Sequence, residues 1–252
     1  MEKPPERKFS VIIPAFNEEE RIGFVLEVVK KVKEVNEIIV VNDGSEDQTG
    51  EIAKKAGAPV LNLSLNQGKF LAVKRGILAS KESIIAILDA DLLGFKPYHL
   101  NNLLSSVKNK NMITIAQFVK GRLTTNQYGL NLYFSGQRAA YRSFWLKFFQ
   151  EVEKQGLTEE KLLKRGFSLE DELNGFIKRH HYLKIPIPWG GVSHVKKEEK
   201  HGIWGFLRRM KMYSDIIINA FSRLSRFFKK QKKLRFSYLK NKVLALGEVL
   251  IW

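Results

Sequence analysis

The segment Ile84-Ile85-Ala86-Ile87-Leu88-Asp89-Ala90-Asp91 decides how this chain is read. Its five apolar residues make a buried strand, and two carboxylates follow one residue apart at the carboxyl end. Side chains at i and i+2 of an extended segment point to the same side. Asp89 and Asp91 can therefore face one hard cation, to which a diphosphate would add further oxygens. Acidic pairs are common in loops after strands, so the weight of this one rests on the sequence around it.

Strand-like and helix-like patterns alternate upstream. Phe9–Pro14 is a β-branched run, and the helix after it puts Ile22, Val25, Leu26, Val29 and Val32 on one face. Glu37–Asn42 is a second strand, and the Asp43-Gly44-Ser45 turn leads to a helix ending near Gly57. Pro59–Leu63 and Lys69–Ser80 supply a third strand and helix. Ile84–Leu88 is the fourth strand, Pro97–Lys108 a helix and Met112–Phe118 a fifth strand. This order predicts an α/β domain with a mostly parallel sheet. In open sheets of that kind, ligands bind beyond the carboxyl ends of the strands. Pro14-Ala15-Phe16-Asn17-Glu18, Asn42-Asp43-Gly44-Ser45 and Asp89-Ala90-Asp91 follow the first, second and fourth strands. Three separate segments thus converge on one crevice. Beyond Phe118 the alternation breaks. Gly121–Gly136 is turn-rich, Tyr141–Gln155 and Ser168–Arg179 read as helices, and Ile185-Pro186-Ile187-Pro188 is extended by its prolines.

With 252 residues, 44% of them hydrophobic, the chain suits one large domain or a domain with an appendage. It has no cysteine, which excludes disulfides and thiolate metal sites. No cleavable signal pattern opens it, and no apolar stretch is long enough to span a bilayer. A cytoplasmic location is expected. The net charge of +17 is uneven: residues 196–252 hold 15 Lys/Arg against 4 Asp/Glu, so most of the excess lies in the tail. Anionic partners are implied. From residue 203 onward Phe206, Leu207, Met210, Tyr213, Ile217, Phe221, Leu224 and Phe228 recur at helical spacing among Arg and Lys. Such a basic amphipathic extension either binds an anionic membrane surface, peripherally on its inner face, or packs on the domain. No nucleic-acid-binding module is recognisable.

VIIPAFNEEERIG, IIVVNDGSEDQTGEIA, NQGKFLAVKRGI and ILDADL, in that order, resemble the family 2 glycosyltransferases of the GT-A fold. GRLT (121–124), SGQRA (135–139), FSLEDEL (167–173) and VSHVKKEEKHG (192–202) are similar to the branch containing the glucosyl-3-phosphoglycerate synthases. The resemblance implies a GT-A domain over residues 1–202, with a nucleotide-binding half (1–118) and an acceptor half (119–202), followed by the extension 203–252. It implies that Pro14, Ala15, Glu18, Asp43, Gly44, Lys69, Asp89 and Ala90 line the nucleotide site, with Asp43 accepting the imide hydrogen of uracil or guanine. Asp89 and Asp91, with His194 as a third ligand, would hold Mg²⁺ or Mn²⁺. Asp171, or else Glu170, would be the base of an inverting reaction; a retaining course needs none. Arg122, Thr124 and Arg138 would contact the acceptor.

The implied activity is transfer of a hexose from a UDP- or GDP-linked sugar to an acceptor hydroxyl or phosphate. The acceptor is a polyprenyl phosphate or a small phosphorylated alcohol. Sugar, stereochemistry and oligomeric state, a homodimer included, stay open. The rival readings are a non-catalytic sugar-nucleotide-binding scaffold at a membrane and a nucleotidyltransferase. The paired aspartates argue against the first. The second lacks its glycine-rich triphosphate loop.

Overall fold

Phe9–Ala15 (β1) is buried along nearly its whole length, as expected of a strand covered on both faces. It is the spine of the computed structural model, which describes residues 7–119, 135–156 and 169–194. The chain divides into two units, Met1–Val195 and Lys196–Trp252, and every described residue belongs to the first. The basic extension lies outside the described residues, as do Arg122 and Thr124.

Along the chain β1 is followed by α1 (Ile22–Lys30), β2 (Val35–Asn42), α2 (Thr49–Lys55), β3 (Val60–Asn62), α3 (Lys69–Ala79) and β4 (Ile84–Ile87). Then come β5 (Leu92–Leu93), α4 (Pro97–Ser105), β6 (Met112–Phe118), β7 (Arg138–Tyr141) and α5 (Arg142–Lys154). The last described elements are α6 (Leu169–Arg179), β8 (Leu183–Trp189) and β9 (Ser193–His194). Seven strands form one sheet in the order β3-β2-β1-β4-β7-β6-β8. Pairing is parallel except at β7, which runs antiparallel to β4 and β6. The α/β class and the mostly parallel sheet are as expected.

The alternation of β1 feeds two cores. Val11 and Ile13 join α1 and α4 on one face, whereas Ile12 joins α3, α5 and α6 on the other. Gly76 lets α3 sit directly on the sheet: a Cβ there would come within 2.4 Å of Ile12 Cγ2. α2 ends as its sequence suggests. Gly57 takes φ 70°, its N–H bonds the Lys54 carbonyl, and Ala58 N–H bonds that of Ala53, which satisfies two orphan carbonyls of the last turn. Pro186 and Pro188 are tolerated because β8 is the edge strand among the described residues and needs no donors on its outer side there.

Two elements set up the site. The antiparallel register Ile87↔Arg138 brings the start of β7 beside the carboxyl end of β4. The two-residue pairing of β5 with β9, Leu92↔His194 and Leu93↔Ser193, delivers His194 next to the Asp89-Ala90-Asp91 segment. α4 ends at Ser105, short of the expected Lys108, and Val107 N–H already bonds the Leu104 carbonyl in a tighter turn.

Candidate active site

The loops after β1 and β2 are stitched into one rim. Asn17 adopts φ 54°, its N–H bonds Ser45 Oγ, and its Oδ1 accepts from Glu46 N–H. Glu18 N–H bonds Thr49 Oγ1 at 2.7 Å, and Asp43 N–H bonds the Ala15 carbonyl at 2.8 Å. Pro14 is half-buried and Ala15 buried behind this rim. Gly44 has φ 70° and passes so close to the Leu65–Asn66 backbone that a Cβ would fall 2.5 Å from the Leu65 carbonyl carbon. Only glycine fits there.

Asp43 is buried, and its two oxygens accept from Gln67 N–H and Gly68 N–H, each at 2.8 Å. Burial pushes its carboxyl pKa up, and the two amides offset only part of that rise. The residue expected to meet a base thus also anchors the turn before α3. Each oxygen keeps a second lone pair for a further donor. With Gly68 at φ 83°, that anchor fixes where α3 begins and where Lys69 points.

Lys69 Nζ lies 2.7 Å from Asp89 Oδ1 and 2.8 Å from Glu170 Oε1. The other oxygen of Asp89, Oδ2, is 3.0 Å from His194 Nε2 and accepts from Gln137 Nε2 at 2.6 Å. Asp91 Oδ1 stands 4.0 Å from His194 Nε2. Burial disfavours the charge on each of Lys69, Asp89, Glu170 and His194, but their pairing more than offsets it. The carboxylates raise the pKa of Lys69, and Lys69 holds Asp89 and Glu170 below the ordinary carboxylate range. Asp89 and Asp91 raise that of His194.

One ligand atom from each of Asp89, Asp91 and His194 lies within 4.8 Å of the others. Ligands about 2.0–2.1 Å from a Mg²⁺ ion sit at most about 4.2 Å apart, so small side-chain rotations close the set around one cation. Two carboxylates and an imidazole suit Mn²⁺, and the oxygens also suit Mg²⁺. Space is kept for it: a Cβ on Gly136 would lie 2.7 Å from Asp89 Oδ2 and 2.5 Å from Lys69 Nζ.

The structure therefore brings Asp89, Asp91, His194, Lys69 and Glu170 together, beside the rim built from residues 14–18 and 42–45. Ala90 is buried between the two aspartates. Asp171 and Glu172 are half-buried on the first turn of α6. Arg138 lies inside the fold. It is 1% exposed, and its guanidinium donates to the Ser135 carbonyl and to Asn174 Oδ1, so it braces β7 against α6. Gln137 escaped the sequence reading although SGQRA was noted, because a lone glutamine beside a glycine announces no chemistry.

A carboxylate pair, an imidazole and a lysine at the carboxyl edge of a mostly parallel sheet define an α/β protein equipped for a cation and phosphate oxygens. Residues 10–166 match the family described as "Glycosyl transferase family 2", and the chain belongs to that family. An uncharacterized protein of Methanocaldococcus jannaschii is 49% identical over 84 residues, 32% of this chain and 34% of that one. The dolichyl-phosphate beta-glucosyltransferase of Mus musculus is 35% identical over 103 residues, covering 34% and 32%. The glucosyl-3-phosphoglycerate synthase of Mycolicibacterium smegmatis is 36% identical over 107 residues, covering 39% and 35%. The matches thus span about a third of each relative's length. The glucosyl-3-phosphoglycerate synthase of Mycobacterium tuberculosis, solved with Mn²⁺, UDP and glucosyl-3-phosphoglycerate, superposes with a TM-score of 0.55 at 21% identity. That match covers 81% of this chain and 80% of the other. The GT-A-like fold is shared.

Proposed function

We propose that the chain transfers a hexose from a UDP- or GDP-linked sugar to a phosphorylated acceptor, with Mn²⁺ or Mg²⁺ held by Asp89, Asp91 and His194. The convergence of those three side chains with Lys69 on one strand end carries the reading. When bound, the cation neutralises charge developing on the departing nucleoside diphosphate. Lys69, kept as an ammonium by its two carboxylates, supplies a second positive charge at the same place. Pro14, Ala15, Glu18, Asp43, Gly44 and Ala90 would hold the nucleoside and diphosphate. Glu170 is already paired with Lys69. That favours Asp171 as proton acceptor if configuration inverts.

The relatives support both acceptor classes, one acting on dolichyl phosphate and the other on phosphoglycerate. Arg122 and Thr124 are the proposed contacts to the acceptor phosphate. Among the described residues no helix is long and apolar enough to cross a membrane. A lipid-linked acceptor would therefore be met at the surface, through the basic segment 203–252.

The donor half is tested by thermal shift with UDP, GDP and their sugars, with and without Mn²⁺. Ligand at 100 times its Kd stabilises the native state by roughly 2.7 kcal/mol, enough for a shift of several degrees that depends on the cation. No shift with any nucleoside diphosphate would overturn the reading. The acceptor class is decided by sedimentation with anionic liposomes at low and high salt. Salt-sensitive binding, lost when Arg223, Arg226, Lys229 and Lys230 become Gln, is expected for a lipid phosphate. Indifference to the liposomes selects the small soluble acceptor.

A further inference from the structure

We infer that Gln137 is a positioning residue of the cation site, fixing the orientation of the Asp89 carboxylate. The inference rests on the reading of Asp89, Asp91 and His194 as ligands. Gln137 is fully buried immediately before β7, an element that carries none of the ligands. Its amide can be oriented in only one way. A carboxylate accepts and does not donate, so the nitrogen must face Asp89 Oδ2, 2.6 Å away. The opposite end agrees, for Ser135 Oγ donates to Gln137 Oε1 at 3.3 Å.

The amide nitrogen has two hydrogens and two ligand atoms in reach. One hydrogen serves Asp89 Oδ2; the second faces His194 Nε2 at 3.3 Å. Asp89 is thereby held at both oxygens, Oδ1 by Lys69 and Oδ2 by Gln137. Without Gln137 the carboxylate can pivot about its contact with Lys69. Neutrality matters: a second ammonium or guanidinium at this position would compete with the cation, whereas an amide orients the carboxylate and adds no charge. The bare Gly136 beside it lets the β7 backbone come close enough for so short a reach.

The test is a titration of the nucleotide-free full chain with Mn²⁺, following free and bound ion by electron paramagnetic resonance, with melting temperatures recorded alongside. Gln137→Met keeps the length and burial of the side chain and removes the donor. It is expected to weaken Mn²⁺ binding roughly 10–100-fold, as loss of an outer-shell partner does, and to change the spectrum of the bound ion. Ser135→Ala keeps the amide and frees its rotation, with an expected weakening of about two- to fivefold on the same basis. If Gln137→Met binds Mn²⁺ within twofold of wild type, the inference fails while the ligand assignment stands. If Gln137→Met does not fold, Ser135→Ala decides, and unchanged affinity in that variant overturns the inference. A wild-type chain that binds no Mn²⁺ overturns both.

Discussion

Asp91→Ala is expected to abolish sugar transfer and to leave the melting temperature close to that of the wild type. The two aspartates of the pair do different work, which makes Asp91 the cleaner probe. Asp89 is tied to Lys69, Gln137 and His194, so its removal strips partners from a buried cluster. Asp91 is half-buried just past the strand, 4.0 Å from His194, and its carboxylate points at the same space. Loss of a metal ligand removes stabilisation of the leaving diphosphate rather than a core contact, an effect worth several kcal/mol. At about 1.36 kcal/mol per tenfold in rate, transfer should fall by at least about 10³-fold. Asp89→Ala should instead lose both activity and stability. The measurement is transfer of labelled sugar from UDP- and GDP-linked donors, paired with a thermal melt of each variant. Full turnover by Asp91→Ala in chelated buffer would remove the cation from the mechanism.

What could be read in the sequence follows from how each residue acts. β1, β2 and β4 are rich in β-branched residues and end in recognisable polar turns, so strand, turn and site were legible together. β7 was not. Arg138-Ala139-Ala140-Tyr141 has no β-branched residue, and it is a strand only because β4 and β6 flank it. β5 and β9 are two residues each, too short for any periodicity, yet their pairing is what seats His194 beside Asp91. His194 itself was anticipated through resemblance, not through local pattern. The link between Lys69 and Glu170 joins residues 101 positions apart. Both were singled out, but for separate duties, because nothing local to either reports the other. The burial of Arg138 was not legible either. Resemblance offered it as an acceptor contact, and nothing local announced its bonds to a carbonyl and an amide in the interior.

Lys69→Met should destabilise the protein most at neutral pH, with the deficit shrinking in acid. Burial works against the ammonium, but Asp89 and Glu170 raise its pKa above the ordinary 10.5. Burial likewise works against both carboxylates, and Lys69 lowers them below their ordinary 3.8 and 4.5. A depressed carboxylate stabilises the native state above its unfolded pKa, and that contribution is lost as pH falls through the folded value. A raised lysine stabilises below its unfolded pKa and ceases to do so as pH climbs through the folded one. The full contribution of the cluster therefore lies between about pH 5 and pH 10. Methionine preserves the apolar stem but leaves two carboxylates facing each other without a cation. Breaking a buried pair costs about 3–5 kcal/mol. The Lys69 side chain is 33% exposed, so screening reduces the expectation to about 2–3 kcal/mol at pH 7.5. Below about pH 4 the variant's carboxylates are protonated and cease to repel, and as pH falls further through the lowered folded values the wild-type lysine also loses its charged partners. Urea unfolding in chelated buffer at pH 4, 5.5 and 7.5 measures the difference. A loss of the same size at all three values would show that Lys69 contributes only the packing of its stem, and the charge cluster would have no part in holding α3 to α6.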